Sequence, residues 1–480
     1  MSLKHKSQSA LEYMMTYGWA ILVIVIVAAV LYSLGIFSPS SSLSTTITGF
    51  SNLGTVNAVC LGGTSFTISM GDSTGYPINV TEINLTSSSG KTTYSPNILI
   101  QPNSIQTVTV PSSSLCTSGA RYSVSAVISY LEPGQIFPGP YTSTGTVAGT
   151  ANSLPSSATL YEPLNITNTQ NQGTPSPFQQ MINVTSSSLG WGDISSSPFG
   201  QNVEFFSSTG QILDSWLENY TSTHAIWWVK LTSSIPAGSK QTIYMGFAPT
   251  STNLFNNKTT GEAPQLSSTY AEYDDGANVF NYYQRWGGLS ALPTNWSSTP
   301  GTVITFDSDY IEIAPSASIG SWYGIYLNPL PSPLSSTTTI WELYGNNYDG
   351  VNAGQYIGTA SGGSGNLDGY SFNEGSTPTN LIYFGNNGGQ FDTSTGYDDT
   401  NVNKIYGMIM VSSTSLIMTI NYNPISTITT ATAEAPSYFD IAPSNNGGSK
   451  PSTGVYVYWI RTRAYPPNEV MPSVTFGSVS

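Results

Sequence analysis

The N-terminal region separates into a short basic leader and a long apolar stretch without charge. Lys4, His5 and Lys6 come first, and no charged residue occurs from Tyr13 to Phe37. A helix of that length and composition is long enough to span a bilayer. Because the basic residues lie only on its N-terminal side, the leader is predicted to stay in the cytoplasm and the rest of the chain to lie outside.

Beyond this stretch, and after a Ser/Pro-rich linker, the pattern changes to short segments in which apolar and polar residues alternate. Clear period-two alternation occurs in residues 66–70, 78–85, 105–110 and 122–128. Separated by Gly, Pro and Asn, these segments predict an antiparallel β-sandwich. Many further short strands with Gly/Asn turns, such as residues 405–411 and 455–461, favour a jelly-roll towards the C-terminus.

The predicted fold is therefore mainly β, with one N-terminal transmembrane or filament-core helix followed by tandem antiparallel β-sandwich and jelly-roll domains. A chain of 480 residues is long enough for about three such units. The predicted divisions are a leader (1–7), a hydrophobic helix (8–37), a linker (38–45), a first sandwich (46–150), a second sandwich (151–265) and a jelly-roll (266–480).

The residues just before the apolar core carry the most specific motif of the chain. The segment Lys6–Met15, KSQSALEYMM, resembles the class III signal peptide of archaeal type IV pilins. The resemblance implies that a prepilin peptidase cuts between Ser7 and Gln8 and leaves the apolar helix attached. Glu12 would then be the fifth mature residue, which matches the pilin glutamate.

A carboxylate at the edge of an apolar helix is costly unless a cation neutralises it. The new N-terminal ammonium of a neighbouring subunit can neutralise Glu12, so this residue is predicted to act in assembly. An uncleaved anchor with Glu12 among the lipid headgroups is the alternative. A cleavable secretory signal fits less well, because Ser33-Leu34-Gly35 is only a loose match to its cleavage site.

The three exterior units carry resemblances of their own. The order of features from Cys60 to Gly149 is similar to the head domain of archaeal pilins. The strand Ile226–Leu231, followed by the turn Ile235–Gly238, resembles an uncharacterised β-sandwich domain of archaeal and bacterial surface proteins. The remainder is similar in overall order to a concanavalin/laminin-G-like domain. These resemblances imply fold and a cell-surface setting, but no chemistry.

Cys60 and Cys116 are the two cysteines of the chain. In an oxidising exterior such a pair predicts one disulfide, worth about 4 kcal/mol through its effect on the denatured state. Two unpaired buried thiols are the alternative.

The charge balance excludes one class of function. Only 8% of residues are charged, the net charge is -14 and the 12 basic residues are scattered. A phosphate-binding face needs clustered Lys and Arg, so nucleic-acid binding is excluded. A surface of hydroxyl and amide groups is compatible with an acidic habitat, and equally with an ordinary secreted β-protein.

Asn-x-Ser/Thr sequons permit N-glycosylation, although several would arise by chance in a chain this rich in Asn, Ser and Thr. They lie at Asn79, Asn84, Asn165, Asn183, Asn219, Asn257 and Asn295.

Enzyme motifs are nearly absent, and no catalytic residue is predicted. His5 and His224 are the only histidines, so no His-based zinc cluster or Ser-His-Asp triad is expected, and His224 is predicted to be structural. Glu272-x-Asp274 begins the carboxylate spacing of some jelly-roll glycosidases, but Gly276 occupies the next position.

Two further groups of residues leave alternatives open. Calcium takes hard oxygen ligands from loops, which Asp residues in turns could supply, although Asp is also a common turn former. The candidate ligands are Asp274, Asp275, Asp307, Asp309, Asp349, Asp398 and Asp399. Exposed aromatic rings could stack on sugars, or fill sandwich cores instead. The rings in question are Trp286, Trp296, Trp322, Trp341, Tyr344 and Tyr348.

Together these features predict a non-enzymatic structural subunit of an archaeal type IV pilus-like surface filament. It would enter the cytoplasmic membrane through one helix, assemble with itself or with other pilins, and display its β domains for adhesion, with surface glycans among its partners. A monomeric membrane-anchored substrate- or glycan-binding protein is the first alternative, and a surface glycan hydrolase is the second.

Overall fold

The computed structural model describes residues 45–51, 53–152, 154–155, 157–256, 258–316, 324–328, 330, 339–347, 352–358, 367–373, 380–385, 389–394, 402–412, 415–428, 438–444, 454–477 and 479. They belong to two compact units, Met1–Leu154 and Pro155–Ser480. The predicted leader, its cleavage site at Ser7 and Gln8, the apolar helix and Glu12 lie outside the described residues. Within the described part, no helix has the length and apolar character needed to cross a membrane.

The first unit is an all-antiparallel β structure. Its strands are β1 (Thr46–Thr48), β2 (Leu53–Leu61), β3 (Ser65–Asp72), β4 (Ile78–Ser87), β5 (Lys91–Tyr94), β6 (Ile98–Ile100), β7 (Ile105–Pro111), β8 (Arg121–Leu131) and β9 (Tyr141–Thr150). One sheet has the order β1-β9-β8-β4-β5 with β6 paired to β4, and the other is β2-β3-β7. Side chains alternate between buried and exposed along β8, as period-two strands require.

Cys60 in β2 and Cys116 in the loop after β7 form a disulfide, with their Cα atoms 6.5 Å apart. Both half-cystines are buried in the apolar core of the first unit. The predicted disulfide is confirmed, and the alternative of two free thiols is wrong.

The second unit begins with eight strands in two facing sheets. They are β10 (Leu160–Thr167), β11 (Phe178–Thr185), β12 (Val203–Ser207), β13 (Ile212–Leu213), β14 (Ser215–Tyr220), β15 (His224–Leu231), β16 (Lys240–Phe247) and β17 (Thr260–Glu262). A short 3-10 helix, Leu189–Asp193, lies between β11 and β12.

The rest of the second unit holds one short helix and the remaining strands. They are α1 (Gly276–Val279), β18 (Tyr282–Arg285), β19 (Trp296–Ser298), β20 (Thr302–Phe306), β21 (Ile311–Pro315), β22 (Ile325–Leu327), β23 (Thr339–Asn347), β24 (Asn352–Gly358), β25 (Leu367–Asn373), β26 (Asn380–Gly385), β27 (Gly389–Ser394), β28 (Lys404–Ser412), β29 (Ser415–Ile420), β30 (Asn423–Ile428), β31 (Tyr438–Ser444), β32 (Val455–Ala464) and β33 (Ser473–Phe476). A 3-10 turn, Pro467–Glu469, precedes β33.

Four sheets build the second unit. The N-terminal pair is β13-β12-β16-β10-β33 and β11-β15-β14-β17. The C-terminal pair is β20-β21-β32-β23-β28-β29-β30, with β18 paired to β32, and β19-β22-β31-β24-β25-β26-β27. Each pair encloses its own apolar core. The prediction of a mainly β chain with antiparallel sheets is confirmed.

The C-terminal strand β33 returns to the sheet of β10, where Leu164 pairs with Phe476 and Thr167 pairs with Ser473. The end of the chain therefore completes the N-terminal sheet pair of the second unit. One strand from beyond the boundary predicted at residue 265 therefore belongs to the N-terminal sheet pair and is held there by backbone hydrogen bonds to β10. The boundary itself stays a prediction.

Candidate functional site

Strand β14 supplies side chains to both of its faces, and a β-bulge changes the face on which Tyr220 lies. Leu217 faces the apolar core between the two N-terminal sheets, whereas Trp216 belongs to a second cluster on the outer face. The register with β15 shifts between Leu217 and Asn219, so that Tyr220 lies opposite Ala225, a residue of the core. A bulge re-aims the side chains that follow it. Glu218 therefore lies near the outer cluster while Tyr220 returns to the core side.

On the outer face, Glu218 meets residues from the C-terminal sheets in a buried charged cluster. We call Glu218, Glu342, Arg461 and Arg463 the ionic junction. Arg461 Nη2 lies 2.7 Å from Glu218 Oε2, and its Nε donates to Glu342 Oε2 at 2.7 Å. Arg463 Nη2 lies 2.8 Å from Glu342 Oε1. All four side chains are buried, with Arg461 and Glu342 fully inaccessible.

Neutral donors also contribute to the junction. Trp228 Nε1 donates to Glu218 Oε2 at 2.8 Å, and the Tyr422 hydroxyl donates to the same oxygen. Arg461 Nη2 in turn donates to the Tyr422 hydroxyl at 2.7 Å. Burial alone would raise the pKa of Glu342, but the guanidiniums of Arg463 and Arg461 outweigh it and hold that pKa below its ordinary value.

Aromatic rings surround the Arg461 guanidinium. Its Cζ lies 4.6–5.4 Å from the ring centroids of Phe280, Trp459, Trp228 and Trp216. These distances fall within the range of cation–π attraction, which is strongest where water is excluded. The junction therefore joins β14 and β15 of the N-terminal sheets to β23 and β32 of the C-terminal sheets through buried, mutually neutralised charges. Each of its two carboxylates pairs with at least one arginine, as in an internal brace.

On the core side, Tyr220 ends a column of three rings that we call the aromatic column. Trp227 is buried, Phe199 stacks on it with ring centroids 6.1 Å apart, and Tyr220 stacks on Phe199 at 4.3 Å with an interplanar angle of 10°. Tyr220 is 42% exposed. Trp191 lies beside Phe199 at 5.7 Å and 51°. The column thus runs from the core to the surface and ends in a fixed, accessible ring.

Several carboxyl groups of the second unit are buried without an ion-pair partner among the described residues. Glu162, Glu204, Glu262 and Asp275 are each at most 3% exposed. Ser157 and Ser267 hydroxyls donate to Glu204 and Glu262, whereas the carboxyl oxygens of Glu162 and Asp275 accept no hydrogen bond. Burial raises the pKa of all four, and repulsion from Asp274 and Asp214 adds to the effect at Asp275.

The predicted calcium ligands that the structure describes do not form a group of three metal-ligating side chains. Asp274 accepts hydrogen bonds from Trp216 Nε1, the Gly276 amide and the Tyr283 hydroxyl, and pairs with Arg285 at 3.4 Å. These donors occupy the lone pairs that a cation would need. Asp307 accepts from the Ser308 amide and hydroxyl, as a turn-forming Asp does. Asp349, Asp398 and Asp399 lie outside the described residues, and no group of three metal-ligating side chains occurs in the rest.

The sequons differ in accessibility. Asn183 in β11 and Asn295 in a loop are exposed, whereas Asn79, Asn84, Asn165 and Asn219 are half-buried in strands. The amide nitrogens of Asn79 and Asn84 already donate to Asn97 and Glu82. Asn257 lies outside the described residues. Glycosylation at these positions stays a prediction.

The aromatic residues singled out in the sequence of the C-terminal part are mostly core residues. Trp286, Trp296 and Trp341 are buried, and Tyr344 stacks on buried Trp459. Trp322 and Tyr348 lie outside the described residues. His224 is on the hairpin that follows β14, where its Nδ1 lies 2.9 Å from the Thr221 hydroxyl.

Comparison with known proteins adds a family model and several similar proteins. Residues 199–299 match the model of a domain of unknown function (DUF2341). A segment of 124 residues is 41% identical to "Uncharacterized protein 562" of Sulfolobus islandicus rod-shaped virus 1, and this covers 25% of the chain and 21% of that viral protein. The chain thus spans about a fifth of the length of the curated relative it matches.

Two solved structures illustrate the structural likenesses. Bacillus licheniformis beta-glucanase is 13% identical, with 38% of this chain and 97% of that chain covered and a TM-score of 0.29. The carbohydrate recognition domain of Emp47p is also 13% identical, with 38% and 95% covered and a TM-score of 0.29.

Proposed function

We propose that this chain is a structural subunit of an archaeal type IV pilus-like surface filament. The observation that carries the proposal is the N-terminal segment, in which a basic leader, the Ser7–Gln8 peptidase site and Glu12 precede an uncharged apolar stretch. After cleavage by the prepilin peptidase, the helix of residues 8–37 would wait in the cytoplasmic membrane and then pack into a filament core with other subunits. The β domains would lie outside the cell.

The described units support this setting. A disulfide buried in the first unit fits an oxidising exterior. The ionic junction and the shared strand β33 hold the sheet pairs of the second unit together, which suits an outward-facing part exposed to shear. The C-terminal sheet pair is, in our proposal, a concanavalin/laminin-G-like jelly-roll.

The proposed role is non-enzymatic. A glycan hydrolase needs two carboxyl groups facing a cleft across the sugar bond. In the described residues the buried carboxylates of the junction are neutralised by arginines, and Asp274 is occupied by donors. A monomeric anchored glycan-binding protein remains the rival reading, since it would have the same leader and the same β domains.

Replacing Glu12 with Ala is expected to remove most of the protein from filaments. The change leaves a neighbouring subunit's N-terminal ammonium without its partner, and an uncompensated buried charge costs about 3–5 kcal/mol. Glu12→Gln keeps the shape and part of the hydrogen bonding, so it should fall between Ala and the native protein. The measurement is the amount of this protein in sheared filaments relative to whole cells.

Mass spectrometry of the same cells provides the control. Native protein and both variants should begin at Gln8, because cleavage does not need the carboxylate. Normal filament content in Glu12→Ala cells would show that Glu12 has no assembly role and would favour the anchored monomer. An N-terminus at Met1 or near Ser38 would overturn the pilin assignment itself.

A further inference from the structure

We propose that the exposed end of the aromatic column is a binding site for a neutral saccharide. The site consists of the exposed face of Tyr220, and the half-buried ring of Trp191 lies beside Phe199, the ring on which Tyr220 stacks. The inference names a ligand class for the display role proposed above and takes its biological setting from that role. Binding itself does not require a filament.

The exposed ring of Tyr220 is held rigidly. Tyr220 stacks on Phe199 at 10°, and Phe199 stacks on buried Trp227 at 28°, so the exposed ring is held in one plane by the core. If Tyr220 served only to cover the core, its ring would be largely buried. It is instead 42% exposed. A fixed aromatic face loses little conformational entropy when a ligand stacks on it.

The loop that carries Trp191 and Phe199 is also fixed. Fully buried Asn202 accepts a hydrogen bond from the Ser195 amide at 2.7 Å and donates to the Asp193 carbonyl at 2.8 Å. The same side-chain amide donates to the Ala248 carbonyl at 2.7 Å, which ties the loop to the end of β16. The backbone that carries Trp191 and Phe199 is therefore held by the buried side chain of Asn202 and not by surface contacts.

Charge selects the class of ligand. Residues 187–200 and 219–224, which build the site, contain no Lys or Arg, and Asp193 is their one acidic residue. His224 is the one side chain of these segments that can carry a positive charge, so an anionic glycan or a phosphate would find no lysine or arginine here. The C–H faces of a pyranose ring are apolar and stack on aromatic rings, while its hydroxyl groups can bond to Ser and Thr hydroxyls such as those of Ser196, Ser197 and Thr223.

The test uses the mature full-length protein in detergent, so that it does not depend on filament formation. Isothermal titration with cellohexaose, laminarihexaose and mannohexaose probes neutral sugars, and hexagalacturonate probes an anionic one. Binding of at least one neutral hexaose with quenching of Trp emission is expected, together with weaker or no binding of hexagalacturonate. Tyr220→Ala should weaken binding by about tenfold or more, and Tyr220→Phe should keep most of it because the ring remains.

Tyr76→Ala is the matched control, since Tyr76 is a 53% exposed tyrosine of the first unit. It should bind like the native protein. If Tyr220→Ala reduced the thermal midpoint, Trp191→Ala would serve as the second variant and should also weaken binding. Failure of all three neutral sugars to bind, equal binding of hexagalacturonate, or unchanged binding by Tyr220→Ala and Trp191→Ala would each overturn the proposal. None of these results would affect the filament proposal, which the Glu12 variants test.

Discussion

Replacing Arg461 with Met is expected to destabilise the second unit by about 3–5 kcal/mol, because it leaves buried carboxylates with too few cations. Glu218 would lose its only ion-pair partner among the described residues, and Glu342 would keep only Arg463. Met fills part of the space between the rings but carries no charge. The free energy of unfolding, measured by denaturant titration of the mature protein, is the quantity to compare.

Tryptophan emission is a suitable signal, since no Trp occurs between residues 45 and 154 and the Trp residues at 216, 228 and 459 surround Arg461. Arg121→Met is the matched control, because Arg121 is exposed on the first unit, and its effect should stay within about 0.5 kcal/mol. Glu218→Gln in the Arg461→Met background should recover part of the loss, since it removes the stranded charge. A loss for Arg461→Met no larger than that of Arg121→Met would show that the junction does not brace the unit.

The second unit is expected to be more stable in acid than at neutral pH, and Glu162→Gln should reduce this difference. Burial raises the pKa of Glu162, Glu204, Glu262 and Asp275 in the folded state. A raised folded pKa means that the folded state binds the proton more tightly than the unfolded state. The stability that each group contributes is therefore complete below its unfolded pKa and is lost as pH rises through its folded pKa.

Glu342 limits the stability of the second unit at low pH. Its pKa is lowered by Arg463 and Arg461 against the effect of burial, so its contribution is present above the unfolded pKa and is lost as pH falls through the folded pKa. Maximum stability should therefore lie on the acid side, between the lowered pKa of Glu342 and the raised pKa values of the unpaired acids.

Glu162→Gln is the best single test, because few interactions around Glu162 offset the cost of burying its carboxylate. Its carboxyl oxygens accept no hydrogen bond; the Gly190 amide comes nearest and offsets burial only in part, while Asp193 opposes ionisation further. A Cβ at Gly190 would lie 2.5 Å from Phe247 Cζ and 2.6 Å from Glu162 Oε2, so a larger residue there would have to displace one of these side chains. Glu162→Gln should raise stability at about pH 7 by about 1–3 kcal/mol and change it little at about pH 3.

The control for this experiment is Asp307→Asn, an exposed turn carboxyl of the same unit, which should change the pH dependence little. Thermal midpoints of the mature protein across the pH range provide the measurement. A midpoint that rises steadily from acid to neutral pH in the native protein would contradict the assignment of these carboxyls as unpaired acids.

Strand positions could be predicted from the sequence because alternation is a local property. The segments 66–70, 78–85, 105–110 and 122–128 fall within β3, β4, β7 and β8. In each of these strands one face lies against the core of the first unit, so burial follows period two. The disulfide was predictable for a different reason, since two cysteines in a chain predicted to lie outside the cell leave one pairing.

The ionic junction could not be predicted in the same way. Glu218 and Arg461 are far apart in sequence, and their contact depends on how two sheet pairs meet. Counting by twos along β14 places Tyr220 on the same face as Trp216 and Glu218. The bulge after Leu217 breaks that count, and no residue pattern in the segment marks it. In a chain with 8% charged residues, Glu342 between Trp341 and Leu343 was the available signal.

The aromatic column was not predicted from the sequence, because the rings considered as sugar-binding candidates were the more numerous ones of the C-terminal part. Trp286, Trp296 and Trp341 fill a core between two sheets, where large rings bury the most apolar area. Trp191 lies in the short 3-10 helix Leu189–Asp193 and Phe199 in the loop that follows it, and period-two counting predicts no orientation for either. Their arrangement depends on the anchor at Asn202, a contact that only the folded chain reveals.

The most direct test of the central claim is electron microscopy of material sheared from cells, labelled with gold-conjugated antibody against this protein. The account predicts thin filaments labelled along their length or at their ends, with the mature protein recovered in the same fraction. Label confined to single heads on membrane fragments, with unlabelled filaments or none, would contradict it.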